Sequence, residues 1–390
     1  MAEAGIRIRS YNVGFGDCFL VTFPDGGVKR NMLIDFGNAP GQLNTGYPEI
    51  AENIFEETGG HLDLIVMTHE HLDHMEGFYA QKSIFDKMTV DYVWMSLPSE
   101  PNYYSDYPNA TPLKRIRELA GQFARRLQKN KVAVAPSFMM LLQNNLSNPQ
   151  RIDYVRNLPG NAKRVLYLRR GSSVIDKPFS DKVKIKILAP EKDVSVYYGG
   201  AEHNGLQALS RRLFSADDAP TAKEDGSWTF PKVPREVGAP VNLTERDWRL
   251  LHEAIQSGGV ESIRAIDKAA NNTSLVFTME VAGKRLLFPG DAELESWGMM
   301  QKKCRGDLKA VDFFKVAHHG SHNGTSEDVL KTLLPKDRKA KAVVMVSTKS
   351  KVYGTVKPVP DKATMDLLRD RCKSMISTDG ETKLWVDALL

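Results

Sequence analysis

The heptapeptide Thr68-His69-Glu70-His71-Leu72-Asp73-His74 constrains this chain more than any other feature. It follows an apolar run, residues 62–67, that reads as a buried strand, and it precedes Met75-Glu76-Gly77-Phe78-Tyr79, which reads as the start of a helix. The loop therefore lies at the C-terminal end of a strand, where α/β sheets tend to carry their chemistry. His69 and His71, two apart on extended backbone, point the same way and suit one metal ion. Asp73 and His74, at the turn into the helix, suit a second ion beside it. Imidazole and carboxylate are the ligands of Zn²⁺ and neighbouring divalent ions. Histidine makes up 9 of the 390 residues, so an ordinary polar loop is a poor explanation for three in one heptapeptide.

One loop does not close two metal sites, and the rest of the chain offers further ligands. Six of the nine histidines fall in two short loops, the second being Ala317-His318-His319-Gly320-Ser321-His322. That loop also follows an expected strand, residues 311–316. A third strand end, after residues 285–288, carries Pro289-Gly290-Asp291-Ala292-Glu293. A carboxylate between two cations bridges them and fixes their spacing. Two ions about 3.5–4 Å apart share a water, lower its pKa toward neutrality and direct hydroxide at phosphorus or carbonyl carbon.

The remaining pattern is strand-rich at both ends, with strands expected at 6–13, 18–23, 31–35, 90–96, 163–168, 183–188, 273–281, 342–347 and 383–386. Helices are expected at 49–58, 293–302 and 361–371. Residues 97–180 are less regular, apart from a helix from Pro112 to about Lys129. Its Lys114, Arg115, Arg117, Arg125, Arg126 and Lys129 against Glu118 read first as a solvated face and second as a phosphate-binding one. Residues 190–270 read as an insertion with helices at 206–214 and 244–256, and His203 and His252 within it read as surface residues. The 42% hydrophobic content is enough for a substantial core, and no apolar run approaches the roughly 20 residues of a membrane span. The start of the chain lacks an apolar leader, and Cys18, Cys304 and Cys372 are odd in number and far apart. Together these suit the reducing cytoplasm, with no membrane partner. The net charge of +5 permits a polyanionic substrate without requiring one.

The constellation resembles the metallo-β-lactamase superfamily, with its H-x-H-x-D-H loop, later bridging Asp and final His. More narrowly it is similar to the metallo-hydrolase domain of bacterial competence (DNA-uptake) channel proteins and their soluble relatives. The similarity rests on Val13-Gly14-Phe15-Gly16-Asp17, Leu33-Ile34-Asp35-Phe36-Gly37, Asn272-Thr273-Ser274-Leu275-Val276, Gly290-Asp291-Ala292-Glu293, His318-His319-Gly320-Ser321 and Ser377-Thr378-Asp379-Gly380. It covers most of the chain outside about 97–160 and 191–268.

The resemblance implies an α/β (α+β) chain: a four-layer αββα sandwich forming one domain over 1–390, with insertions in those two stretches. It implies two divalent ions, Zn²⁺ first and Mn²⁺ second. His69 and His71 would bind one, Asp73 and His74 the other, with Asp291 bridging. The last ligand would be His318 or His319, with His318 favoured as the first after the strand. Asp17, Asp35 and Asn272 would support the ligands from behind. Many members place a further His before the bridging Asp, where this chain has Ala270-Asn271-Asn272-Thr273. A His before Pro358 is replaced by Lys357, a residue able to contact an anion.

The leading functional expectation is a metal-dependent hydrolase of phosphodiesters, a nuclease or nucleotide phosphodiesterase. In it Asp73 is needed for turnover as well as for metal binding, and His319 or His322 protonates the leaving oxygen. The alternatives are hydrolysis of a small carboxylic ester, lactone or phosphoester, with Tyr103, Tyr104 and Tyr197 lining a narrow pocket, and a metal-binding effector that acts through a protein partner held by the insertions.

Overall fold

The computed structural model describes residues 5–40, 46–111, 113–114, 117, 136–145, 148–174, 178–198, 221–222, 228–229, 267–352 and 358–390. The expected basic helix apart from Leu113, Lys114 and Arg117, both insertion helices, His203, His252 and Lys357 lie outside the described residues.

Two mixed sheets and the helices around them make the chain α+β. The first sheet runs β15 (Trp385–Leu389), β1 (Arg7–Tyr11), β2 (Cys18–Asp25), β3 (Val28–Phe36), β4 (His61–Met67), β5 (Thr89–Ser96), β6 (Val165–Leu168). It is antiparallel from β15 to β3 and parallel from β3 to β6. The second runs β14 (Ser374–Ser377), β13 (Val343–Val346), β12 (Phe313–Lys315), β11 (Lys284–Phe288), β10 (Val276–Val281), β7 (Lys184–Ala189). It too changes from antiparallel pairs to parallel ones, at β11. A separate two-residue pair joins β8 (Thr221–Ala222) to β9 (Trp228–Thr229).

Alternation along the strands sorts side chains onto two faces. Phe19, Val21, Phe23, Met32, Ile34, Leu64 and Val66 of the first sheet share one buried cluster with Phe277, Met279, Leu286, Phe288, Phe313 and Met345 of the second. The intervening residues Leu20, Leu33, Ile65 and Met67 pack instead with Ile50 and Ile54 of helix Tyr47–Thr58 and with Met75 and Phe78 of helix Leu72–Ala80. On the second sheet, Leu287, Phe314, Val344 and Val346 pack with Trp297 and Met300 of helix Leu294–Lys303 and with Leu368 of helix Lys362–Arg371. Both faces of each sheet are thus covered, so its central strands read as near-continuous apolar runs. Each such side chain contributes about 1.5–3 kcal/mol on burial. Among the described residues no helix is long and apolar enough to cross a membrane.

Several expected elements shift. The strand expected at 163–168 begins at Val165, because Ala162–Arg164 forms a 3-10 turn with the Asn161 side chain accepting from the Lys163 amide. The stretch read as irregular contains helices Pro136–Asn144 and Pro149–Asn157. Ile152 and Val155 of the latter join the core beside Met75 and Phe78.

Candidate metal centre

The chain enters the site through two glycines with no room for a side chain. A Cβ on Gly37 would lie 2.3 Å from the Leu72 carbonyl oxygen, and one on Gly16 would lie 2.3 Å from the Gly37 carbonyl oxygen. That closeness lets the Asp17 amide donate to the Asp73 carbonyl (3.0 Å) and the Gly37 amide to the Asp17 carbonyl (3.0 Å). The turns after β1 and β3 are therefore stitched to the histidine loop after β4.

Asp35, the penultimate residue of β3, has φ of 56°, a left-handed conformation that Asp tolerates better than most residues. Its carboxylate accepts from the Thr68 amide (2.8 Å), the Thr68 hydroxyl (2.7 Å) and His74 Nδ1 (2.8 Å). This fixes the His74 ring so that Nε2 faces inward. His319 is fixed in the same way, its Nδ1 donating to the Ser347 carbonyl at 2.9 Å.

The two inward nitrogens meet one carboxylate. His74 Nε2 is 3.2 Å and His319 Nε2 3.1 Å from Asp291 Oδ2, while His319 Nε2 is 3.5 Å from Asp73 Oδ2. Ligand atoms of Asp73, His74, Asp291 and His319 all lie within 4.8 Å of one another, and all four residues are buried. Asp73 Oδ1, His74 Nε2 and His319 Nε2 have no hydrogen-bond partner among the described residues. Orphaned donors and acceptors at such depth are costly unless something satisfies them. Four ligand atoms of this kind and spacing suit a cation bonded at about 2.0–2.2 Å, so this inner cluster fits a metal ion.

Beside it, His69 Nε2 and His71 Nδ1 face each other at 3.1 Å, and the His69 and His74 rings are 4.2 Å apart. His71 Nε2 is 3.1 Å from Asn145 Oδ1, and Asn144 Oδ1 accepts from the Asp73 amide at 3.2 Å. Burial holds His69 well below its usual pKa and His71 down at about 3, with the neighbouring His74 adding to the effect in both. They are thus neutral, the form that binds metals. His74 and His319 behave oppositely. Burial would lower them, but Asp291 with Asp35 raises His74 well above the ordinary value, and Asp291 with Asp17 raises His319 to about 10. The Asp73 carboxyl, which burial alone would raise, is lowered to about 2, chiefly by His74 and His319.

Lys315, unassigned in the sequence reading, sits at the centre of this charge. Its ammonium contacts Asp17, lies 3.3 Å from Asp291 Oδ1 and donates to the Gly290 carbonyl at 3.0 Å. A lysine inside the strand stretch 311–316, buried beside Phe313 and Phe314, is the signal that marks it.

The placement departs from sequence expectation at several residues. His319, not the favoured His318, joins Asp73, His74 and Asp291. Both histidines are left-handed, with φ of 46° and 53°, which sends successive rings to different places. His318 falls instead in an outer cluster with Asp267 and Glu293. His319, expected as a proton donor, has both ring nitrogens turned to the site's own groups. His322, the other expected donor, is exposed at the surface. Asn272 supports no metal-facing ring: its Oδ1 accepts from the amides of Glu293 (3.1 Å) and Ser296 (2.9 Å), capping helix Leu294–Lys303. Tyr103 and Tyr197, expected as pocket residues, are buried in a small apolar cluster with Leu97 and Val194, against which Tyr104 packs.

Asn145 and Asp267 gave no signal in the sequence, and Glu293 was visible only as part of a motif. No protein-family model and no curated protein matches the chain.

Proposed function

We propose that this chain is a metal-dependent hydrolase with a dinuclear centre, acting on phosphodiesters of a nucleic acid or nucleotide, on a four-layer αββα scaffold of the metallo-β-lactamase kind. The observation that carries the reading is the convergence of buried ligand atoms of Asp73, His74 and His319 on Asp291, all within 4.8 Å of one another. His69 and His71 would hold one ion, and Asp73, His74, Asp291 and His319 the other, with Asp291 the candidate to serve both. Zn²⁺ suits the imidazole-rich set, and Mn²⁺ is the second choice. When bound, paired divalent ions lower the pKa of water and neutralise charge that builds up on a phosphoryl group.

The chain's own groups supply orientation and charge. Asp35 and the Ser347 carbonyl lock the two rings that face Asp291. Lys315 occupies the other oxygen of Asp291, leaving Oδ2 to face the site. Asn145 and Asn144 hold His71 and the Asp73 backbone from behind. With apolar side chains packed around these groups, the charges act in low dielectric, where they are strongest.

The test is hydrolysis of single-stranded DNA and of a chromogenic phosphodiester by purified protein with Mn²⁺ or Zn²⁺, beside the Asp73→Asn variant. Cleavage that needs the ion and is lost in the variant supports the reading. Equal cleavage by the variant, or none by the wild type with its ions bound, contradicts it.

A further inference from the structure

Outside the inner cluster, three more ligating side chains converge. Asp267, Glu293 and His318 place one ligand atom each within 4.8 Å of the others. His318 Nδ1 is 3.3 Å from Glu293 Oε1 and makes no hydrogen bond among the described residues. Asn271, 1% exposed, stands among all three: its Nδ2 lies 3.4 Å from Asp267 Oδ2, 2.8 Å from Glu293 Oε1 and 3.2 Å from His318 Nε2. Its carbonyl oxygen has no partner among the described residues. The same amide turned about its last torsion presents that oxygen to the cluster, since amide nitrogen and oxygen exchange places readily.

Charge marks this place apart from the inner cluster. There Lys315 stands against Asp17 and Asp291. Here two carboxylates meet amides and one imidazole: Asp267 accepts from Asn145 at 2.7 Å, and Glu293 from Asn271 and Asn323. Glu293 is 1% exposed, while the Asp267 and His318 side chains keep 15% and 17%, which gives a path to solvent.

We propose that Asp267, Glu293 and His318, with Asn271, form a further divalent-cation site beside the dinuclear centre. Two carboxylates and an amide oxygen to one imidazole make an oxygen-rich set, which favours a harder ion such as Mn²⁺ over Zn²⁺. The left-handed pair His318-His319 is what gives each site one ring of the dipeptide.

The experiment counts Mn²⁺ bound per chain by equilibrium dialysis and elemental analysis, on the full chain, without reference to turnover. Wild type is compared with Glu293→Gln, His318→Gln and Asp73→Asn. The expected result is one ion fewer in Glu293→Gln and in His318→Gln, and an oxygen-rich Mn²⁺ site that persists in Asp73→Asn. Should Glu293→Gln fail to fold, His318→Gln, whose ring reaches solvent, carries the test. Wild-type ion counts in the folded variants would overturn the proposal, as would loss of every ion on changing His318. Because Asp73→Asn leaves these ligands untouched, failure of the hydrolase reading leaves this count unaffected.

Discussion

The inner cluster of Asp73, His74, Asp291 and His319 and the outer cluster of Asp267, Glu293 and His318 use the same side-chain types, yet differ in how their charge is held. In the inner one, carboxylates face two raised imidazoles and a buried lysine. In the outer one, carboxylates face amides, and the imidazole is lowered to about 4 by burial. The inner cluster thus stays assembled without metal through internal ion pairs. The outer cluster is held by neutral hydrogen bonds. The comparison teaches that side-chain identity does not fix the state of a site; the neighbouring cation does.

The largest expected effect comes from Asp73→Asn. Removing a carboxylate that contacts the inner cluster should lower phosphodiester turnover by about 10³-fold, equivalent to several kcal/mol of lost charge stabilisation. Steady-state hydrolysis measures it, and a change below tenfold would place Asp73 outside the chemistry. Next is Lys315→Met, which takes the ammonium from Asp17 and Asp291, buried at 1% and 2% exposure, and leaves only the His74 and His319 rings opposite them. Unpairing a buried charge costs about 3–5 kcal/mol, so urea unfolding of the metal-free variant should show a loss of that order. Saturating Zn²⁺ should recover part of it, and an unchanged midpoint would break the contrast drawn above.

Asp35→Asn should be milder. Asn tolerates the left-handed backbone there, but its amide nitrogen is only a donor and accepts from neither the Thr68 hydroxyl nor His74. Metal affinity should fall by about 10–100-fold, measured by competition with a chromogenic chelator. The most gradual effect is on pH dependence. His319 is raised from 6.5 to about 10, so its contribution to the metal-free fold is full below pH 6.5 and is lost as pH rises through about 10. The melting temperature of metal-free protein should decline across that window. Bound metal displaces the proton, so affinity should climb over the same range. Flat melting temperatures from pH 6.5 to 10 would show that His319 is not held by these carboxylates.

Much of the inner site was legible because its ligands follow apolar runs at strand ends, and runs of that kind are local signals. Asp35 and Asp17 were legible as motif carboxylates next to glycines, and the geometry gives the reason: Gly16 and Gly37 let the backbone approach. The choice between His318 and His319 was not legible, because it depends on two left-handed residues in succession, and spacing says nothing about φ. Asn272 appeared to support the metal site but caps a helix, since an Asn serves either purpose and only its neighbours decide. Asn145 and Asp267 reach the site from stretches that carry no periodic signal near them, 122 residues apart in sequence yet hydrogen-bonded. Most strands were legible from alternation and apolar runs, whereas β14, an edge strand with no fully buried residue, left no apolar run to read.

The most direct test of the account is anomalous diffraction from crystals soaked in Mn²⁺ or Zn²⁺. The account predicts ion density bonded to Asp73, His74, Asp291 and His319, with a neighbouring ion at His69 and His71. Saturating metal that leaves those side chains bare while ions bind elsewhere would contradict it.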